Sequence, residues 1–449
     1  MLQRSPPRPI HAPRRHRLAR ALAAALMLGS AAAGAQSLQA LYDAARGYDA
    51  TYLAARALAD SAQYRNEQVK ALNRPSVSLS ASSTRTETDT PIGRAGGSST
   101  GAQISALQPL FNRTNSTSID QAEKNYVISM ADLETAEQDL VVRLSQAYFD
   151  VLAAQDTLAT TRANKTAISE QLASAKRNFE VGTATITDTR EAQARYDLAT
   201  AQEIGAENDL RNKRIALDQL VGRTDVEPRP LTIPARLPDV LPANVEDWVT
   251  RAIESPSVRK ARLAYDIAQL ETAKARAGHL PTVDLVGGVG ENRNTGRTTG
   301  TGLTGNTTSA QIGVQMNLPL FAGYSIQNRV KETLSLEEKS RNDLEFARRS
   351  VTQTTRQAYF NVQSGLATVK ALEAAEASNQ LALEATQLGY KVGVRVNLDV
   401  LNAQTQLYTT RRDLARARYD VVLGNLRLRQ AAGTLRAEDV SAANQLLVP

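Results

Sequence analysis

The chain has 449 residues, with 53 Lys and Arg against 46 Asp and Glu, a formal net charge of +7 and no cysteine. Without Cys, disulfides, thiolate catalysis and Cys–Zn sites are excluded. The basic excess is local: residues 1–35 hold six arginines and no acid, which leaves 47 basic against 46 acidic residues and no surplus for binding nucleic acid.

That N-terminal stretch has three parts. Arg4, Arg8, Arg14, Arg15, Arg17 and Arg20 are its positive region, 21–28 is a short apolar run, and Ala33-Gly34-Ala35 fits the small-residue cleavage rule. This is the pattern of a secretory signal peptide over 1–35, with a mature start at Gln36. The apolar run is too short to span a bilayer. The Cys that a bacterial lipoprotein carries after its signal is absent. No later stretch is long and apolar enough for a transmembrane helix, so entry into a membrane requires a closed β-barrel.

The rest of the chain is duplicated. Ala147-Tyr148-Phe149 recurs as Ala358-Tyr359-Phe360, Val181-Gly182 as Val392-Gly393, and Gly222 as Gly433, each 211 residues on. Pro75 answers Pro281 at an offset of 206. The period is too long for a solenoid and marks two related halves. The first repeat covers 36–222 and the second 245–433. A Pro-rich connector over 223–244 (Pro228, Pro230, Pro234, Pro238, Pro242) is expected to run outside the core. Residues 434–449 form a C-terminal equatorial segment.

In chain order, each repeat predicts a helix, two strands, a very long helix, a turn and a return helix. The opening helices, 38–73 and 245–278, both stop before a proline. Strand pairs follow over 75–110 and 281–319. Val77, Leu79 and Ala81 alternate with serines, and Ile312, Val314, Met316 and Leu318 share one face, so the sheet has two unlike sides. Val77, Leu79, Val283, Val314 and Met316 are candidates for a lipid-facing side, although alternation in one strand leaves inside and outside open. The polar stretches 84–100 and 291–308 read as surface loops. The long helices span 116–181 and 327–392. In the first, Leu140, Leu144, Ala147, Val151, Ala154 and Leu158 recur at coiled-coil spacing, and a similar small or apolar seam runs from Val351 to Leu372 in the second. Gly182 and Gly393 end these helices as left-handed caps. Return helices occupy 187–221 and 396–432.

Four strands cannot close a barrel by themselves, so several chains must share one, giving 8, 12 or 16 strands for two, three or four copies. The amphipathic helices need neighbours for the same reason. Gly278-His279-Leu280-Pro281-Thr282, Leu318-Pro319-Leu320-Phe321, Gln357-Ala358-Tyr359-Phe360, Tyr390-Lys391-Val392-Gly393 with Asp399-Val400-Leu401, and Gly433-Thr434-Leu435 together resemble the TolC family of outer-membrane efflux proteins over the whole mature chain. The resemblance implies a mainly α fold with a small β part: a homotrimeric 12-helix coiled-coil tunnel below a shared 12-strand transmembrane β-barrel. It implies an outer-membrane exit duct with a long periplasmic portion. The implied partners are outer-membrane lipid, a periplasmic adaptor (membrane fusion) protein, and an inner-membrane ABC or proton-driven pump. Cargo, drug or secreted polypeptide, is left open.

The same resemblance assigns site residues. Asp188, Tyr390 and Arg395 match the polar links that close the tunnel at its periplasmic end. Asp399 becomes an acidic ring at the entrance under three-fold symmetry. A second acid is common one turn later in the family, but Asn402 stands there, so a weaker cation preference is expected. Val181, Gly182, Thr183, Val392, Gly393 and Val394 form the tips where an adaptor would dock. No catalytic, cofactor or metal constellation is found. His279 beside the Leu-Pro strand start has no arranged partner and reads as structural. Residues 300–305 match a dinucleotide fingerprint in the wrong context, a Thr/Gly loop with no following helix. Asn112 and Asn306 begin formal glycosylation acceptors. The alternative class, a surface-exposed structural or adhesive coiled-coil protein, accounts for the heptads and leaves the strand pairs without a purpose.

Overall fold

The computed structural model describes residues 36–91, 93–232, 237–296 and 304–448. The expected signal peptide, Pro234 and most of the fingerprint at 300–305 lie outside these residues.

The sheet is a four-stranded antiparallel meander in the order β1 (Ser76–Thr90), β2 (Gly93–Phe111), β3 (Thr282–Gly296) and β4 (Gly305–Asn317). It corrects the expected loops. Pairing between β1 and β2 continues out to Thr90 and Gly93, and β3 and β4 stay paired as far as Asn294 and Gly305. Where they are described, the stretches are rich in Ser, Thr and Gly, yet they pair in the ladder. Hydroxyls along the sheet add cross-strand rungs: Ser78 with Ser105 at 2.8 Å, Ser83 with Thr100 at 3.0 Å, and Ser98 with Thr295 at 2.6 Å.

Register decides the faces. Leu79 pairs with Ile104, which pairs with Val289. Leu285 pairs with Val314, and Val283 with Met316. All five lipid-face candidates therefore share one side with Ile104, Val289 and Ile312. Ser78, Ser105, Gly288 and Gln311 run across the other. The apolar side is bare in a single chain: Leu79 is 73% exposed and Ile312 82%.

Each opening helix is broken in two. The first splits into α1 (Leu38–Tyr48) and α2 (Ala50–Lys70), followed by a 3-10 turn, Ala71–Asn73. Asp49 makes the break: its carboxylate accepts the Tyr52 N–H at 2.8 Å as the cap of α2 and takes both arms of Arg143 at 2.9 and 3.1 Å. The second splits into α5 (Val245–Ala252) and α6 (Pro256–Ala277), where Pro256 suits a first helical position but not a helix interior.

Between these lie α3 (Arg113–Glu180), α4 (Ile186–Val221), α7 (Ser325–Lys391) and α8 (Asn397–Ala431); α9 (Ala437–Asn444) ends the fold. At 68 residues, α3 is about 100 Å long. Near the sheet the layer order is α2, α3, α6, α7; farther away it is α4, α3, α8, α7. Thus α3 and α7 run through both levels, while α4 abuts α2 and α8 abuts α6 end to end. Gly222 and Gly433 make the junctions. Each has positive φ, and a Cβ would stand 2.5 Å from the Tyr48 ring at Gly222 and 2.6 Å from Ser255 Cα at Gly433.

Of the coiled-coil seam, Leu140, Leu144, Val151, Ala154 and Leu158 are buried and Ala147 is half-buried. In the second repeat α7 and α8 close up through reciprocal glycines: Gly365 faces Val421, and Gly424 faces Val362. An equatorial belt wraps the junctions. Leu38, Leu41 and Tyr42 of α1, Tyr148 of α3 and Val440 of α9 share one core. The connector joins it, contrary to expectation: Val226 and Leu231 are buried there, because Tyr148 Oη accepts the Arg229 N–H at 2.7 Å and draws the segment inward. In the second repeat Trp248 packs with Tyr359 and Leu428 and donates to the Pro242 carbonyl at 2.9 Å.

The Asp49–Arg143 pair carries a pH signature. The Arg143 guanidinium holds the Asp49 carboxyl below its ordinary value. Its stabilisation is complete above the unfolded carboxylate range and is lost as pH falls through the lowered value. Asp49→Ala is expected to cost about 2–3 kcal/mol, from the lost cap and the stranded partner. Urea unfolding at pH 7 and pH 3 checks it: the mutational loss should shrink at the lower pH.

Candidate functional site

The far end of the helical layer carries the predicted site residues. Both hairpins turn the same way. After α3, the Thr183 and Ala184 N–H groups return to the Asn178 carbonyl at 2.8 and 3.1 Å; after α7, Val394 and Arg395 return to the Gly389 carbonyl at 2.9 and 3.2 Å. Gly182 and Gly393 take positive φ in the two turns, with open space where a Cβ would go. Val181, Val392 and Val394 are exposed at these tips, and Thr183 Oγ1 also donates to the Asn178 carbonyl.

Behind the tips the second hairpin leans on the first. Leu401 of α8 is fully buried among Ile168, Leu172 and Ala175 of α3 and Ala192 and Ala199 of α4. Three polar links surround this knob. Asn178 donates to Tyr390 Oη at 3.1 Å, Gln171 donates to the Asn397 side-chain carbonyl, and Arg195 donates to Asn402 Oδ1 at 3.1 Å. Asn397 is itself buried.

The three expected gate residues are not in mutual contact within the chain. Asp188 serves its own helix: Oδ2 accepts from the Thr185 N–H at 3.0 Å and hydroxyl at 2.7 Å, in a capping box at the start of α4. Arg395 lies 3.6 Å from Asp399 one turn on, and Tyr390 answers Asn178. Asp399 is thus offset by Arg395, and Asn402 carries the arginine of the neighbouring hairpin. Asn178, Gln171 and Arg195 belong to none of the sequence motifs, and Leu401 enters only as the last residue of the Asp399-Val400-Leu401 motif. The available signal was a stripe on α8, where Asn397, Leu401 and Gln404 recur at helical spacing with polar members buried.

His279 lies exposed past the end of α6, its N–H returning to the Arg276 carbonyl at 3.1 Å. Asn112 caps α3 by accepting the Asn115 N–H at 3.1 Å. Among the described residues no cluster of His, Asp and Glu could hold a metal ion.

The family model described as "Outer membrane efflux protein" matches residues 41–223 and 251–434, the two repeats without the connector. The chain belongs to this family. "Outer membrane protein TolC" of Vibrio cholerae is 33% identical to it over 94% of this chain and 96% of that one. "Alkaline protease secretion protein AprF" of Pseudomonas aeruginosa is 32% identical over 76% of this chain and 71% of that one. Among solved structures, the outer membrane protein VceC of Vibrio cholerae superposes with a TM-score of 0.75 at 18% identity, covering 88% of this chain and 96% of that one.

As an outer membrane efflux protein, the chain belongs to an exit duct of the outer membrane with an extended periplasmic part. The sheet is its membrane portion and the helical layer reaches into the periplasm. Leu401 should then hold the periplasmic end together more firmly than any polar link. Leu401→Ala is expected to cost about 2–5 kcal/mol of local stability, against about 1 kcal/mol for Tyr390→Phe. Hydrogen exchange over 165–200 and 395–405 measures both; equal protection loss in the two variants would refute the ranking.

Proposed function

We propose that three copies close into one duct, a shared 12-strand barrel over a 12-helix tunnel, which passes cargo outward from an inner-membrane transporter when an adaptor opens its periplasmic end. The sheet carries this reading. Its edges, β1 and β4, are unpaired, and one face is apolar and bare, so in lipid it requires further copies edge to edge with the apolar face outward. The helices support it too. In the lower level α4 and α7 are the edges, and they expose large apolar groups such as Ile204, Ile215, Leu381 and Leu388, whereas central α8 exposes none. The adhesive coiled-coil alternative leaves that sheet face unexplained.

The gate is the set of weak links near Tyr390. Asp188, Tyr390 and Arg395 stand at the same end, each with a local partner that a neighbouring copy can replace. Such exposed links are worth about 0–1 kcal/mol each, small enough for an adaptor to break several. The Asp399 ring, offset by Arg395 and followed by Asn402, gives a mild cation preference. An adaptor docks at Val181–Thr183 and Val392–Val394, where the turns are exposed. The transporter is of the ABC or proton-driven kind. AprF is named for protease secretion, which makes secreted polypeptide one candidate cargo and expelled drugs the other.

Single-channel conductance in planar bilayers tests the duct and gate together. The purified protein should give a small conductance that rises severalfold with Tyr390→Phe and Arg395→Ser combined. An unchanged conductance would discard these gate residues, and silent bilayers from well-folded oligomers would discard the duct. Replacing Gly182 and Gly393 together by Leu should abolish export while leaving the oligomer intact on size-exclusion chromatography. Normal export by that variant would move the adaptor elsewhere.

A further inference from the structure

The two repeats differ at one buried junction. In the first, the α4–α2 junction is filled by the Asp49–Arg143 ion pair. The repeat offsets place Ser255 where Asp49 stands and Thr354 where Arg143 stands. Ser255 precedes α6 as Asp49 precedes α2, but its hydroxyl makes no cap bond to the helix. Ser255 is 4% exposed, and its Oγ finds no hydrogen-bond partner among the described residues. Two short neutral side chains thus replace an acid and a base, and a cavity of about 700 Å³ lies beside them.

The lining of this cavity has a direction. The N-terminal end of α6 and Arg427, whose guanidinium donates to the neutral Gln146 Oε1 at 2.7 Å, bring positive charge to one side. Asp139, the acid in its lining, already accepts from Gln430 at 2.7 Å. Phe346, Ala347 and Val351 supply an apolar wall. Its volume falls within the range of small-molecule sites. Ser350, Thr354, Gln357 and Asn361 recur along the side of α7 opposite Tyr359, whose ring packs with Trp248 of α5. The equatorial belt covers that outer side, so the cavity opens on the inner one.

We propose that this cavity binds an organic carboxylate. The acid head takes the place that the Asp49 carboxylate holds in the first repeat, against Ser255 and the start of α6, and the apolar body lies along Phe346 and Val351. Arg427 closes the charge balance. That the site faces the tunnel rests on the proposed duct; binding itself does not.

The test uses the intact oligomer in detergent, with benzoate and the neutral isostere benzamide as probes and thermal melting as readout. Benzoate should raise the melting temperature saturably, with benzamide at least about tenfold weaker, the size of one charge-assisted hydrogen bond. Ser255→Asp, which supplies the acid from the chain, and Thr354→Glu, which repels one, should each abolish the benzoate response. No benzoate shift, equal shifts from the two probes, or a wild-type response in either folded variant overturns the proposal. Because the readout is melting, a failure of the conductance test does not affect it.

Discussion

An unpaired backbone edge is not tolerated in lipid, and four strands leave two of them. Most of the molecule is arranged around that constraint. The strands come as one hairpin from each half, and β2 meets β3 across 170 intervening residues because α6, which leads into β3, packs along α3, which leaves β2. The columns have the same need as the sheet: each of α4 and α7 shows an apolar flank with no neighbour in its own chain. Duplication answers both demands, since two similar halves present edges that a further copy can meet in the same way.

The halves are alike where they bear load and unlike where they meet. Both junctions use a left-handed glycine, and both tips return two N–H groups to one carbonyl. Apart from the residues that fill the junctions, differences gather at contacts between halves. Leu401 enters the first hairpin, but its counterpart in the first repeat, Arg190, does not play that part. Tyr390 finds Asn178 although the repeat pairs Asn178 with Gly389. A strict copy would give a symmetric end with nothing to favour a closed arrangement. The substitutions supply directional contacts there.

Much of the architecture could be read from residue order because its signals are periodic. Leu140 to Leu158 repeats at the spacing of a buried seam, and Gly182 and Gly393 stop two helices that have no proline inside them. The strands were under-read for a physical reason: between Thr84 and Thr100 they carry Ser, Thr and Gly, the composition of a loop, and only ladder pairing makes them strands. The break at Asp49 was hidden because an acid inside a helical pattern looks like a solvated face until Arg143 is brought beside it. The polar links at the tips join different halves, and periodicity within one half carries no information about them. Asp188, Tyr390 and Arg395, named from family resemblance, lie at that end, and within the chain each has a different partner.

The first and last segments of the fold are tied together. The Leu38 N–H donates to Asn444 Oδ1 at 3.0 Å, 406 residues away, and Leu231 bridges to Leu447. Their shared core also holds α3 and the connector. Docking α9 against α1 closes a loop of 406 residues, an entropic cost that only contacts between the two ends can offset. A chain that emerges N-terminus first cannot finish its equatorial core until its last thirty or so residues arrive. Until then the sides of α1 and α3 that the C-terminal residues cover are exposed apolar surface.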